Sequence, residues 1–129
     1  VLCEMGHSDR LVIADGNFPV MSMGKNAQII RMDGHGVPEI LDAILKVFPL
    51  DTYIEKPVNL MEVMPGDDVQ TPIWDVYKKT VEKYDERGKN AIGEIERFKF
   101  YEETKTAYAV IATSEKALYA NIMLQKGVV

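Results

Sequence analysis

Residues 5–19 carry the sequence MGHSDRLVIADGNFP, and this stretch decides the fold class. Its centre, residues 11–14, is an apolar run that lies between the charged pair Asp9-Arg10 and the turn-forming cluster at residues 15–17. This pattern predicts a buried β-strand with His7 before it and Asp15 directly after it. Because open α/β sheets bind ligands at the carboxyl ends of their strands, Asp15 is a candidate site residue.

Beyond this strand, short apolar runs alternate with helical patterns. Strands are predicted at residues 28–32, 58–64, 108–112 and 120–124, amphipathic helices at 37–48 and 73–84, and a short polar helix at 100–106. Pro38 suits the first turn of the first helix, and Thr71-Pro72 supplies a cap residue and a proline for the second. The alternation of strands and helices predicts an α/β fold.

Composition narrows the classes of function. With 129 residues, of which 47% are hydrophobic and 27% charged, the chain can form one domain with a substantial core. A net charge of -5 argues against a nucleic-acid partner, which needs a concentrated positive surface. The chain has one cysteine, Cys3, and no apolar run near the roughly 20 residues of a membrane helix. A cytoplasmic protein without a membrane partner is expected, and Val1 in place of methionine suggests a start within a longer protein.

His7 and Asp15 are the first candidates for acid-base chemistry. A free imidazole has a pKa of about 6.5, so a histidine exchanges protons near neutral pH. The alternative is that His7 is a cap or a hydrogen-bond donor at the edge of the core. Asp15 likewise has a structural alternative, because an Asp-Gly pair forms turns in which the carboxylate accepts hydrogen bonds from loop amides.

Three further polar residues can contact a ligand. Tyr119 and Asn121 lie two apart at the start of the last predicted strand, where alternation places both side chains on one face. An ordinary tyrosine at a strand edge is the alternative. Arg97 lies between Glu96 and Phe98, where its guanidinium either forms a surface ion pair or donates to sugar hydroxyls or a carboxylate.

A metal site is not predicted. His7, Asp15, Asp33 and His35 contain suitable ligand atoms, but they lack the short spacings that zinc sites usually show. The glycines that flank His35 are typical of a connection between a strand and a helix. We therefore expect no metal and no cofactor.

The ordered motifs of the chain resemble the L-fucose mutarotase family over essentially its whole length. These motifs are GHSD (6–9), DGNFP (15–19), SMG (22–24), IRMDG (30–34), TPIW (71–74), ERF (96–98), FYE (100–102) and LYANI (118–122). Two positions depart from the family pattern, which commonly has glycine where this chain has Ser8 and Ala120. Either change can restrict the backbone beside a functional side chain.

The resemblance implies a single mutarotase domain over residues 1–129, without the helix that usually precedes it. It implies three α/β/α layers around a mostly parallel, Rossmann-like sheet, and a homo-oligomer, commonly a decamer of two pentameric rings with pockets near subunit contacts. Carried over residue by residue, it implies His7 as the proton donor and four sugar contacts, which are Asp15, Arg97, Tyr119 and Asn121.

The implied function is an isomerase that interconverts the α and β anomers of L-fucose without a cofactor. One alternative is an enzyme like D-ribose pyranase, the sister family, which carries a histidine where this chain has Tyr101. Another is a non-catalytic sugar-binding or regulatory subunit. At about 3.3 Å per residue, a straight strand separates His7 from Asp15 by well over 10 Å. Either the backbone bends near residues 6–9 or another subunit completes the pocket.

Overall fold

The computed structural model describes residues 1–129. Its strands are β1 (Arg10–Ala14), β2 (Gln28–Met32), β3 (Val58–Met61), β4 (Ile92–Ile95), β5 (Ala109–Thr113) and β6 (Ile122–Gln125). Its helices are α1 (Val20–Met23), α2 (Val37–Leu45), α3 (Pro72–Tyr84) and α4 (Arg97–Thr104), and a 3₁₀ turn at Gly88–Ala91 precedes β4. No helix combines the length and the apolar character that crossing a membrane requires.

All six strands join one sheet in the order β2-β5-β1-β6-β3-β4. Strand β1 pairs in parallel with β5, which pairs in parallel with β2, and β3 and β4 are also parallel. Strand β6 is antiparallel to both of its neighbours, β1 and β3. Five strands therefore run in one direction and β6 alone runs in the other, which confirms the mostly parallel sheet. The order differs from the 3-2-1-4-5-6 order of the Rossmann fold.

Side chains that alternate along β1 divide the core between two helical layers. Leu11 and Ile13 contribute to a cluster of 21 buried residues between the sheet and helices α2 and α3. Val12 and Ala14 point to the other face and join a smaller cluster of 8 buried residues, which includes Phe100 of α4. The three-layer α/β/α architecture is thus confirmed, and its second layer, formed by the short helices α1 and α4, is the thinner one.

Most elements lie where the sequence predicts them, but several boundaries move. Strand β6 begins at Ile122 rather than at residue 120, because Tyr119 has a φ of 53° that no strand accommodates. Helix α4 begins three residues earlier than residue 100, where the Glu96 side chain accepts a hydrogen bond from the Lys99 amide. Strand β4 and helix α1 were not predicted, because Gly93 and Glu94 interrupt the apolar pattern of β4 and a single turn such as α1 is too short to show helical periodicity.

Candidate active site

Four of the five candidate residues converge at one edge of the sheet. Asp15 directly follows β1, and Arg97 begins the helix that follows β4, so both lie at the carboxyl ends of parallel strands. Because β6 runs in the opposite direction, the residues that precede it, Tyr119 and Asn121, reach this same edge. Open α/β sheets place their ligands at this edge.

These four side chains line one cleft of about 310 Å³. The cleft is also lined by Asn17, Phe18, Met61, Asp67, Val69, Tyr101 and Leu118. Its volume suits a small ligand, and its lining combines apolar and aromatic surface with a few convergent polar groups, as binding sites commonly do.

Asp15 is held rigidly at the bottom of the cleft. Its carboxylate accepts hydrogen bonds from the amides of Asn17, at 3.0 Å, and Ala120, at 3.3 Å. Burial raises the pKa of Asp15 above its ordinary value, although the hydrogen bonds from these amides lower it. The Asn121 side-chain oxygen accepts from the Asp15 amide at 2.7 Å, which leaves the amino group of Asn121 as a donor toward the cleft.

Two aromatic residues of α3 hold the backbone of the Tyr119 segment in place. Trp74 donates from its indole nitrogen to the Tyr119 carbonyl at 2.8 Å, and the Tyr77 hydroxyl donates to the Ala120 carbonyl at 2.6 Å. This support fixes Tyr119 at its left-handed φ of 53°. Tyr119 and Asn121 do line the same cleft, as expected. The expected reason, strand alternation, is wrong, because both residues precede β6 and a turn brings their side chains together.

The loop after β3 adds a residue that the sequence did not single out. Asp67 accepts a short hydrogen bond from the Tyr119 hydroxyl, and the Met64 amide donates to the Tyr119 hydroxyl oxygen at 3.2 Å. The bond to Asp67 raises the pKa of Tyr119 above its ordinary value. The sequence did not identify Asp67 as a candidate because its Pro-Gly-Asp-Asp segment is typical of a surface turn and its partner, Tyr119, lies 52 residues later in the chain.

Arg97 closes one side of the cleft with two aromatic rings. Its Nε donates to the Tyr101 hydroxyl at 3.1 Å, and its guanidinium carbon lies 5.5 Å from the Phe98 ring centre and 5.6 Å from that of Tyr101. No ion pair occupies the Arg97 guanidinium, so the surface ion pair with Glu96 does not form. Its remaining donors are available to a ligand.

His7 lies at the opposite edge of the sheet. It precedes β1, whereas Asp15 follows this five-residue strand, so a span of roughly 13 Å separates the two strand ends. Nε2 of the His7 ring lies 3.1 Å from the Asp51 carboxylate, within hydrogen-bonding distance, and the ring contacts the Tyr53 ring edge-on, with 4.8 Å between ring centres. No bend of residues 6–9 brings His7 into the cleft of its own chain.

The other residues considered as metal ligands are engaged separately. The His35 ring lies 3.1 Å from the carboxylate of Glu39 on α2, and Asp33 pairs with Arg31 at 2.9 Å. No group of three or more histidine, cysteine, aspartate or glutamate side chains could hold a metal ion.

A second groove, of about 400 Å³, lies near the His7 edge and is less suited to a small neutral ligand. Its charged lining consists of Arg10, Lys56, Glu94, Lys99 and Glu103. Arg10 is already bonded to Glu103 at 3.1 Å, and the groove offers no aromatic ring against which a ligand could pack. The cleft at Asp15 is therefore the better candidate.

Chemically, the cleft offers hydrogen-bond donors and acceptors on several sides together with aromatic surface. The carboxylates of Asp15 and Asp67 accept, the Asn121 amino group and the Arg97 guanidinium donate, and Phe18 supplies apolar contact. This arrangement matches a small polyhydroxylated molecule. The fold and the cleft thus define an α/β protein that binds a small polar ligand at the carboxyl edge of its sheet.

Comparison with known proteins gives the family. The chain belongs to the RbsD / FucU transport protein family, whose model matches residues 1–129. Human fucose mutarotase is 47% identical over an alignment of 131 positions, which covers 98% of this chain and 84% of the human protein.

Two crystal structures are similar to the whole chain. FucU from Bifidobacterium longum is 67% identical with a TM-score of 0.97, and the match covers 99% of this chain and 91% of that one. The fucose mutarotase of Streptococcus pneumoniae, solved in complex with L-fucose, is 44% identical with a TM-score of 0.92, and the match covers 99% of this chain and 89% of that one.

Proposed function

We propose that this protein is an L-fucose mutarotase, an isomerase that interconverts the α and β anomers of the sugar. The convergence of Asp15, Arg97, Tyr119 and Asn121 in one cleft carries this proposal. The similarity to fucose mutarotases supports it, including the Streptococcus pneumoniae protein solved with L-fucose. The four side chains bind the sugar hydroxyls in this proposal.

The reaction opens and recloses the sugar ring, and proton transfer is the only catalysis that it requires. A base removes the proton of the anomeric hydroxyl while an acid protonates the ring oxygen, so that the bond from the anomeric carbon to the ring oxygen breaks and an aldehyde forms. Rotation of the aldehyde and the reverse transfers close the ring as the other anomer. A positioned acid-base group typically accelerates such steps about 10²–10⁴-fold. His7 is the proposed proton donor, and the reaction requires no metal or redox cofactor.

A neighbouring subunit brings His7 to the sugar in this proposal. Exposed apolar side chains support it, because they lie at both edges of the sheet: Tyr53 beside His7 is 73% exposed, while Leu118 and Phe98 near the cleft are 52% and 58% exposed. A contact between these two different surfaces is heterologous, and repeated heterologous contacts form a ring when the rotation between successive subunits closes. We propose a homo-oligomeric ring, with the decamer of two pentamers as the specific form.

L-fucose is favoured over D-ribose by the Arg97 side of the cleft. Tyr101, where the sister family carries histidine, lines the cleft and binds Arg97. We also propose a cytoplasmic location, in keeping with a single free cysteine, Cys3, that is exposed.

Exchange between the anomers tests the proposal directly. Saturation transfer between the α and β anomeric proton signals of L-fucose is measured by NMR without protein, with wild type and with His7→Ala. The wild type is expected to accelerate the exchange and the variant to lose most of this acceleration. His35→Ala, which removes the other histidine, is the matched control and is expected to behave as wild type.

Two results would contradict the proposal. Sugar binding without accelerated exchange would indicate a non-catalytic sugar-binding subunit. Faster exchange of D-ribose than of L-fucose would indicate the pyranase reaction instead.

A further inference from the structure

The carboxylate of Glu115 joins the segment that follows β5 to the start of α2. Its Oε1 accepts a hydrogen bond at 3.0 Å from the amide of Val37, the first residue of α2, where the partial positive charge of the helix end favours a carboxylate. Its Oε2 accepts from the amides of Lys116 and Ala117, each at 3.1 Å. One half-buried side chain therefore binds two parts of the chain that lie 78 residues apart.

The backbone of Glu115 holds the loop that carries Asp15. The Glu115 carbonyl accepts from the Gly16 amide at 2.8 Å, and a Cβ on Gly16 would lie only 3.0 Å from this oxygen. The Glu115 amide donates to the Thr113 hydroxyl at 3.2 Å, and this hydroxyl donates to the Ala14 carbonyl at 2.7 Å. Burial is the main cause of the raised pKa of Asp15, and the charge of Glu115 raises that pKa further.

Residues 115–118 lead into the cleft, and Glu115 is their anchor. Upstream of them, the Ser114 amide donates to the His35 carbonyl at 3.0 Å. Downstream, the two aromatic residues of α3 hold the backbone from Tyr119 onward. Between these two points, every hydrogen bond that the segment makes involves Glu115. The path of the chain toward Tyr119 therefore depends on this one residue.

We propose that Glu115 is a positioning residue for sugar binding: its carboxylate fixes the segment of Tyr119 and Asn121 against α2, and its carbonyl fixes the loop of Asp15. This inference rests on the proposed function, in which these three side chains bind the sugar. Glu115 does not line the cleft itself, so it acts through them. Its loss should therefore affect sugar binding more than the chemical step.

Glu115→Gln breaks this bridge while nearly keeping the size of the side chain. Glutamine has a single acceptor oxygen, so it can bind the Val37 amide or the amides of residues 116–117, but not both. We expect KM for L-fucose in the NMR exchange assay to rise about threefold or more, because the cleft loses part of its hydrogen bonding to the sugar. The value of kcat should stay within about twofold.

Glu39→Gln is the matched control. Glu39 is also a carboxylate at the start of α2, where it accepts from the Gly36 amide at 3.0 Å, but it makes no hydrogen bond to residues 114–121. The control is expected to keep the KM of wild type. An equal rise in KM in Glu39→Gln would overturn the positioning role, because it would show that any damage to the start of α2 weakens binding.

Gly36→Ala displaces the same carboxylate without removing its charge. Gly36 has a φ of -91°, which alanine adopts readily, but the added Cβ would lie 2.9 Å from Oε1 of Glu115. Because Oε1 is the end of a flexible side chain, the carboxylate can move away from α2 while the fold is kept. KM is expected to rise in this variant as well. An unchanged KM in both Glu115→Gln and Gly36→Ala would overturn the inference.

Trp74 provides a test that does not depend on catalysis. It is the only tryptophan of the chain, and its indole N–H donates to the Tyr119 carbonyl, so the single indole signal in a proton–nitrogen NMR spectrum reports on the Tyr119 segment. Without sugar, Glu115→Gln is expected to shift this signal and Glu39→Gln to leave it in place. An unshifted signal in Glu115→Gln would overturn the inference.

Titration of the indole signal with L-fucose separates this inference from the proposed function. Wild type that binds the sugar without accelerating anomer exchange would contradict the proposed function. A weaker affinity of Glu115→Gln in the same titration would still support the positioning role. Equal affinities of wild type and Glu115→Gln would overturn that role, whether or not the wild type accelerates exchange.

Discussion

The hydroxyl of Tyr119 donates its proton to the carboxylate of Asp67, a residue 52 positions earlier in the chain. The same hydroxyl oxygen accepts a hydrogen bond from the Met64 amide at 3.2 Å. Because the donor capacity of the phenol is used, Tyr119 offers a bound sugar an acceptor rather than a proton. The pair also ties the loop after β3 to the cleft.

Tyr119→Phe should weaken sugar binding more than it slows chemistry. It removes both the acceptor for the sugar and the anchor of the loop, and one neutral hydrogen bond contributes about 1 kcal/mol, or roughly fivefold in affinity. KM for L-fucose in the NMR exchange assay is therefore expected to rise about fivefold or more, with a smaller change in kcat.

Asp67→Asn is the companion variant because it retains an oxygen acceptor for the Tyr119 hydroxyl. Its KM is expected to change less than that of Tyr119→Phe. An equal or larger rise in KM would show that the charge of Asp67, rather than its hold on Tyr119, matters for the sugar.

Asp15→Asn is expected to reduce affinity for the sugar while stabilising the fold at neutral pH. Burial raises the pKa of Asp15, so the folded protein holds this proton more tightly than the unfolded chain, where the pKa is about 3.9. Wild type therefore loses stability relative to the variant as the pH rises from the unfolded pKa through the folded one. Thermal unfolding midpoints of both proteins between about pH 4 and 7 measure the difference.

At Asp42 the pH dependence of folding stability is expected to have the opposite sign to that at Asp15. Hydrogen bonds from Lys83 and Tyr84 lower its pKa, so the ionised form stabilises the fold above the unfolded pKa and this gain is lost as the pH falls. The loss of stability caused by Asp42→Asn should thus be largest at neutral pH, where wild-type Asp42 is ionised. If Asp15→Asn lowers the midpoint equally at every pH, its hydrogen bonds to the Asn17 and Ala120 amides outweigh the cost of burying its charge.

The sequence predicted the parts of the site that depend on local pattern. The apolar run of β1 located Asp15 correctly, because a strand end followed by Asp-Gly is a short-range signal. Asp51 and Asp67 went unnoticed because their partners, His7 and Tyr119, lie 44 and 52 residues away. The reversed direction of β6, which brings Asn121 beside Asp15, is a property of strand pairing that no single segment encodes.

Ser8→Gly should relieve strain next to His7. Ser8 has a φ of 73°, in the left-handed region that glycine enters freely. Left-handed backbone costs other residues roughly 1–2 kcal/mol. Glycine gains freedom in the unfolded chain, and this offsets part of the relieved strain. We therefore expect the free energy of unfolding of Ser8→Gly to exceed that of Ser8→Ala by about 1 kcal/mol. Urea denaturation measures this, and equal values for the two variants would contradict the strain.

Tyr101→His should shift the sugar preference toward D-ribose. Tyr101 accepts from Arg97 at 3.1 Å and packs edge-on against Phe18, with 5.4 Å between ring centres. A histidine is shorter, so it releases Arg97 and enlarges the cleft on this side. The ratio of D-ribose to L-fucose exchange rates is expected to rise, whereas Tyr101→Phe, which also frees Arg97 but keeps the length of the side chain, should leave the ratio close to that of wild type. An unchanged ratio in Tyr101→His would place the selectivity elsewhere.

Mixed oligomers can show whether two chains share one site. His7→Ala and Arg97→Ala are each expected to lose activity, but they damage opposite edges of the sheet. When the two variants are co-expressed and assemble at random, about a quarter of the contacts unite an intact His7 with an intact cleft, because each partner is the required variant half of the time. Exchange activity should recover toward about a quarter of the wild-type value. If each site lay within one chain, the mixture would stay at the mean of the two parent variants, and the proposal that a neighbour supplies His7 would fail.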